Sequence, residues 1–241
     1  QLFMSNKHLI FGATGAIGLS LAQQLKKSGQ DAHLVARNED ELKSISDNLG
    51  FTFTVADVLE DGFIDKIKSD TSEFNINGLA YCIGSIDLKP IKRVTESDLH
   101  QCMKLNLYSA IETIKGFQDD LKKNHGSIVL FSSVAAQKGF TNHTIIASAK
   151  AAVEGLTVTL AAEFAPTIRV NCIAPSLTDS KISQSMLKSE VVADALAKAH
   201  PLKRLGKGED SASIAKFLLS EDSTWITGQI IGVDGGRSSL S

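Results

Sequence analysis

Cysteine, tyrosine and tryptophan are scarce in this chain of 241 residues, which holds three, two and one of them. Cys82, Cys102 and Cys172 are odd in number, far apart and not in CxxC spacing. That argues against a disulfide framework or a cysteine zinc site and fits a reducing, cytoplasmic compartment. The six histidines are scattered without a metal-ligand spacing, so no metal is expected. Excess charge is missing too. A formal net charge of −2 offers nothing to nucleic acid or to an anionic membrane surface. No uninterrupted apolar run reaches the roughly 18 residues that a bilayer requires, and the first residues carry no signal-peptide pattern. Repeats, low-complexity tracts and linkers are also lacking, so residues 1–241 read as a single domain.

What the chain does have is apolar content, 43% of residues, enough to bury a core. Short apolar runs alternate with longer amphipathic stretches. The runs predict strands at His8–Phe11, Ala32–Ala36, Phe51–Val55, Gly78–Cys82, Ser127–Phe131, Arg169–Ile173 and Ile230–Val233. They are apolar on both faces, as in a buried parallel sheet. Helices are expected at Ile17–Lys27, Glu39–Asn48, Ile64–Ser69, Glu96–Lys122, Thr144–Phe164 and Ser211–Ser220. This alternation predicts an α/β fold: a doubly wound, Rossmann-type parallel sheet of about seven strands with helices on both faces. Ligands then belong at the carboxyl ends of the strands, where strand order reverses. Residues 175–201, with a helical stretch near Ser189–Ala199, interrupt the rhythm at that edge and are expected to form a substrate lid.

The first strand runs into Gly12-Ala13-Thr14-Gly15-Ala16-Ile17-Gly18, and a helix follows. Glycine here lets backbone N–H groups approach a pyrophosphate, and the helix start adds the positive end of its dipole. The position of the loop, after the first strand and before the first helix, is the one a dinucleotide site requires. The second strand ends Val35-Ala36-Arg37-Asn38. A carboxylate there would bind ribose hydroxyls and repel a 2′-phosphate, whereas an Arg clamps a phosphate with its planar fork. NADP(H) is therefore expected over NAD(H).

Together these segments resemble the short-chain dehydrogenase/reductase (SDR) family over nearly the whole chain. Gly12 and Gly18 fit a TGxxxGxG frame, with Phe11 for the usual Thr and Ala16 for the middle glycine. Asp57, followed by Val58, matches the family's adenine-contacting Asp, although alone it could be a helix cap. Asn106 matches the helix asparagine that helps to hold a proton-relay water, and Ser133 the substrate-orienting serine. Asn171 to Pro175 is similar to NxIxPG, with Ser176 in place of the glycine. Ser180 stands where a Thr contacts the nicotinamide amide. Thr227-Gly228-Gln229 and Val233-Asp234-Gly235-Gly236 resemble the family's last strand. The resemblance implies cofactor contacts from Gly12, Thr14, Gly15, Ala16, Ile17, Gly18, Arg37, Asp57, Val58, Gly84, Lys150, Pro175 and Ser180. It also implies a homodimer or homotetramer through the long helices, the second of which is small-sided at Ala147, Ala149, Ala151, Ala152 and Gly155.

The family's YxxxK signature is broken. Thirteen residues after Ser133 stands Ile146, in Ile146-Ala147-Ser148-Ala149-Lys150, so the lysine is present and the tyrosine is not. Isoleucine donates no proton, and general acid catalysis is worth roughly 10²- to 10⁴-fold. Tyr81 and Tyr108, the only tyrosines, cannot stand in by position. The NNAG motif has become Tyr81-Cys82-Ile83-Gly84. His143, three residues before Ile146, is a candidate substitute acid, as are Ser133 or a water held by Asn106 and Lys150. The expected catalytic set is thus Ser133, Lys150, Asn106 and His143. The expected substrate pocket draws on Ser133, Ala135, Gln137, His143 and the 175–201 segment. The reading is an NADP(H)-dependent oxidoreductase for a small carbonyl or alcohol with a non-tyrosine proton donor. The alternatives are a catalytically impaired dinucleotide-binding sensor or partner subunit, and a structural subunit without cofactor.

Overall fold

The computed structural model describes residues 5–187 and 189–240. Seven strands form one parallel sheet: β1 (Asn6–Phe11), β2 (Ala32–Ala36), β3 (Thr52–Val55), β4 (Asn75–Tyr81), β5 (Ser127–Phe131), β6 (Arg169–Pro175) and β7 (Ile230–Val233). Their order is β3-β2-β1-β4-β5-β6-β7, so the order reverses between β1 and β4. This is the doubly wound α/β architecture expected from the alternating pattern.

Most strands serve two cores because successive side chains point to opposite faces. On one face Leu9, Phe11, Leu79, Ile128 and Leu130 pack with Ile114 and Phe117. On the other, Ile10, Ala80, Val129 and Phe131 pack with Leu21, Leu25 and Leu218. The second face is covered by α1 (Ala16–Lys27), α2 (Glu39–Leu49) and α8 (Gly208–Leu219). The first is covered by α3 (Phe63–Asp70), α5 (Ser109–Lys123) and α6 (Thr144–Phe164), with α4 (Glu96–Met103) leading into α5. A short helix α7 (Glu190–Lys198) lies in the segment between β6 and β7.

The structure corrects several boundaries, most by one or two residues. The expected helix Glu96–Lys122 is divided by a π-helical turn at Lys104–Tyr108. That turn carries Asn106, which is buried, whereas Tyr108 is exposed. Strand β4 starts earlier than expected and ends at Tyr81 rather than Cys82. Helix α8 starts at Gly208 rather than Ser211 because the Asp210 carboxylate accepts the Lys207 N–H at 2.7 Å, fixing an earlier first turn. Helix α6 also qualifies an expectation. It is 21 residues long with mean hydropathy 1.4, enough by composition to cross a bilayer. The count of uninterrupted apolar residues misses it because Lys150 and Glu154 interrupt it. Its inner residues Ala149, Val153, Thr157 and Ala161 are buried in the protein.

Helices α1 and α8 touch at their starts. A Cβ on Gly208 would lie 2.2 Å from the Ala16 carbonyl oxygen, a backbone contact that nothing flexible can relieve. Gly208→Ala should lower stability by about 1–3 kcal/mol, read from the urea midpoint. Gly139→Ala, with nothing within 4 Å of the added carbon, should leave the midpoint in place.

Candidate active site

A cleft of about 470 Å³ opens at the carboxyl ends of the strands, above the place where strand order reverses. Its floor is the glycine loop. Gly12 holds φ +75°, and a Cβ there would lie 3.0 Å from the Cys82 backbone. A Cβ on Gly18 would lie 2.3 Å from the Gly12 oxygen. Both glycines are therefore dictated by close backbone approach. Helix α1 starts after Gly15 with no side-chain cap, so its first N–H groups face the cleft without an internal acceptor.

Every expected cofactor residue lines this cleft except Gly18, which is buried beneath the loop. Arg37 is largely exposed at its rim, its guanidinium 3.6 Å from the Asp57 carboxylate. Asp57 also accepts the Leu59 N–H at 2.9 Å, so it caps its own turn while facing the cleft. Lys181 reaches across from the 175–201 segment to Glu41, with contacts of 2.7 and 2.8 Å.

The polar centre lies deeper. Lys150 is buried, and its Nζ donates to the Phe131 carbonyl at 2.9 Å. Burial pulls its pKa down to about 8, because an ammonium without a carboxylate partner is poorly solvated there. All three cysteines lie near it, but burial holds them as thiols, at about 12 for Cys82, 11 for Cys102 and 12 for Cys172. Asn106 donates from Nδ2 to the Cys102 carbonyl at 2.9 Å and to Ser85 Oγ at 3.3 Å. Its Oδ1 is buried and has no partner among the described residues. A Cβ on Gly84 would lie 3.2 Å from Lys150 Nζ and 3.4 Å from that Oδ1. Gly84 thus leaves a small cradle between a donor and an unsatisfied acceptor.

Ser133 lines the cleft and accepts the Ala135 N–H at 3.1 Å. The preceding Ser132 is turned inward to the Lys150 carbonyl and Glu154. Gln137 is a correction. It does not line the cleft but donates to Glu154 at 3.1 Å, because the short helical turn at Val134–Ala136 points it away. His143 does line the cleft, as the residue before α6, with Nδ1 2.7 Å from the Thr141 carbonyl and its ring against Phe140. Ile146 faces the cleft from an apolar cluster with Cys102, Ile145 and Ala149. Tyr81 is buried against Phe11 and donates to the Leu105 carbonyl at 2.9 Å. Neither tyrosine lines the cleft.

Two cleft residues escaped the sequence reading as a pair. Ser176 Oγ lies 2.8 Å from His200 Nε2. Ser176 is visible in the sequence as a departure from glycine, but 24 residues separate it from His200, and no spacing rule joins them.

A family model described as enoyl-(acyl carrier protein) reductase matches residues 12–238. The chain belongs to the short-chain dehydrogenase/reductase family. It is 32% identical over 238 residues to a tropinone reductase homolog of Arabidopsis thaliana, covering 95% of this chain and 90% of that one. It is 30% identical to dehydrogenase/reductase SDR family member 4 of Homo sapiens, covering 96% and 87%. Among solved structures, ElxO with NADP bound superposes with TM-score 0.89 at 26% identity, covering 98% and 100%. A tyrosine-to-phenylalanine variant of ElxO with NADPH bound matches equally well. The protein is thus an SDR-type oxidoreductase, of a family that works with nicotinamide cofactors.

The buried ammonium has a measurable cost. Lys150 is harder to protonate folded than unfolded, so its penalty is fully present below about pH 8 and fades as pH rises towards the unfolded value. Lys150→Met should therefore be more stable than the parent at neutral pH. The gap should narrow above about pH 8 in urea titrations. A gap of opposite sign, or one that does not change with pH, would contradict the assignment.

Proposed function

We propose that the protein is an NADP(H)-dependent oxidoreductase transferring hydride between nicotinamide and a small carbonyl or alcohol, with a proton donor other than tyrosine. The observation that carries this reading is the cradle at Gly84, where Lys150 Nζ and the unpartnered Asn106 Oδ1 converge. A buried acceptor without a partner costs about 1–3 kcal/mol, so a fold that keeps one beside a buried ammonium has a use for it. The residues fit the cofactor. The uncapped start of α1 and the glycine loop would take the pyrophosphate. Arg37 would take a 2′-phosphate, and Lys150 the nicotinamide ribose, with Pro175 and Ser180 near the nicotinamide. Bound, the cofactor supplies or accepts the hydride. The chain's part is to orient the two reactants, with Ser133 on the substrate oxygen and the 175–201 segment as a lid. Ile182, Met186 and Leu196 of that segment line the cleft and suit closure over an apolar ligand.

One observation favours a second reading, a dinucleotide-binding protein without turnover. Ile146 sits in a packed apolar cluster, so the tyrosine's place has been refilled rather than merely vacated. The tyrosine-to-phenylalanine variant of ElxO is described with NADPH bound; in that protein, loss of a tyrosine hydroxyl is compatible with cofactor binding.

Fluorescence titration of NADPH and NADH separates these readings from a cofactor-free role. NADPH should bind more tightly than NADH, Arg37→Ala should collapse that ratio, and Lys150→Ala should weaken both. An unchanged ratio in Arg37→Ala would refute the 2′-phosphate assignment. We also propose assembly into a dimer or tetramer through α6, whose outer side shows Ser148, Ala151, Gly155 and Val158 to solvent. Gly155→Arg should shift the mass in light scattering to that of a smaller species without loss of helix content.

A further inference from the structure

The oxidoreductase reading leaves the proton donor open, and the inference here rests on that reading. We infer that Ser176 and His200 form the proton-delivering pair of this site, with Ser176 touching the substrate oxygen and His200 holding the proton behind it.

The pair is placed by two separate elements. Ser176 follows Pro175 at the carboxyl end of β6, and His200 lies just beyond α7. Both line the cleft that holds Ile146, Lys150 and Ser133. Ser176 Oγ and His200 Nε2 are 2.8 Å apart, and His200 Nδ1 is 2.8 Å from the Leu196 carbonyl. A carbonyl only accepts, so Nδ1 carries the hydrogen and the tautomer is fixed. In the neutral ring Nε2 is then an acceptor, and the Ser176 hydroxyl donates to it. Once Nε2 is protonated the bond reverses, and the Ser176 hydrogen is free for another oxygen. A hydroxyl backed by an oriented imidazole is a general acid–base unit, with a backbone carbonyl as the orienting third member.

The other candidates are less well held. His143 is anchored through one ring nitrogen to a carbonyl of its own loop. Among the described residues Ser133 has no imidazole or carboxylate behind it; its oxygen caps the next turn. The charged groups around His200 are engaged with other partners. Arg237 donates to the Ala199 carbonyl at 3.0 Å. Lys203 Nζ reaches the Lys198 carbonyl, and Lys198 itself pairs with Asp194 at the surface. The Asp234 carboxylate is taken by the Gly236 and Ser238 N–H groups.

In the reducing direction, hydride with its electron pair passes from a reduced nicotinamide to the carbonyl carbon, and the C=O π pair moves to oxygen. That oxygen takes the Ser176 proton as Ser176 takes one from His200 Nε2. The nicotinamide is oxidised, the carbonyl reduced, and neutral His200 regains its proton from solvent. Alcohol oxidation runs the same path backwards.

The test follows NADPH oxidation with cyclohexanone as the probe from about pH 5 to about pH 9, beside NADPH binding by fluorescence. Ser176→Gly, which restores the family's residue, should lower turnover on the order of 10²-fold with NADPH affinity within about twofold of the parent; Ser176→Thr should recover most of it. Reduction needs protonated His200, so the parent rate should fall as pH rises across this range, and His200→Gln should lose that dependence. Ser176→Gly and His200→Gln with parental rates and pH profiles would overturn the proposal, leaving the pair as a pin between lid and strand. NMR of the His200 ring nitrogens is read without substrate. An imidazole neutral across this whole range overturns the relay whatever the kinetics. A parent protein that binds NADPH yet reduces no ketone defeats the oxidoreductase reading and this proposal with it, whereas loss of activity confined to the two variants supports both.

Discussion

The ammonium of Lys150 is buried between α6 and the end of β5 with a carbonyl, not a carboxylate, as its hydrogen-bond partner. Most of the site's geometry follows from accommodating that charge. A fully buried cation without a counter-ion is costly, so its neighbours are constrained. The cysteines around it remain neutral thiols under burial. A methyl group at Gly84 would crowd both Nζ, at 3.2 Å, and the Asn106 oxygen, at 3.4 Å. The π-helical turn at Lys104–Tyr108 resets the helix phase so that Asn106 faces inward. Such a bulge costs helical hydrogen bonding and is found most often where a side chain has to be aimed.

Against this polar centre, the apolar cluster at Ile146 changes what the cleft can do. A tyrosine between Ser133 and Lys150 would place the acid on α6. With isoleucine there, position 146 of α6 offers no proton to the cleft. The Ser176–His200 pair lies elsewhere, just past the end of β6 and just beyond α7. Proton delivery by the pair would couple the chemistry to the lid, since His200 belongs to the segment that would close over the substrate.

Much of this was legible in the residues. All seven strands stand out as short apolar runs because a parallel sheet covered on both faces has no polar side to alternate with. The glycine loop was legible because backbone approach at Gly12 and Gly18 admits no other residue. Boundaries were less so. The start of α8 depends on Asp210 reaching back to Lys207 and on Gly208 fitting against Ala16, and a glycine near a helix start looks like a breaker until its neighbour is known. Gln137 stood in the right stretch for the pocket, but a single short helical turn sent it to Glu154.

By itself the sequence determined the layer order, the dinucleotide loop, the absence of tyrosine before Lys150 and the family. Each of these is written in short contiguous segments, taken in their order along the chain. Only the tertiary structure decided that Asn106 Oδ1 is stranded beside Lys150, that Lys181 meets Glu41, and that Ser176 meets His200. These are contacts between segments far apart along the chain, made when β6, α7 and the switch point of the sheet fold to one edge. A hydrogen bond of 2.8 Å across such a distance leaves no periodicity in the residues that make it.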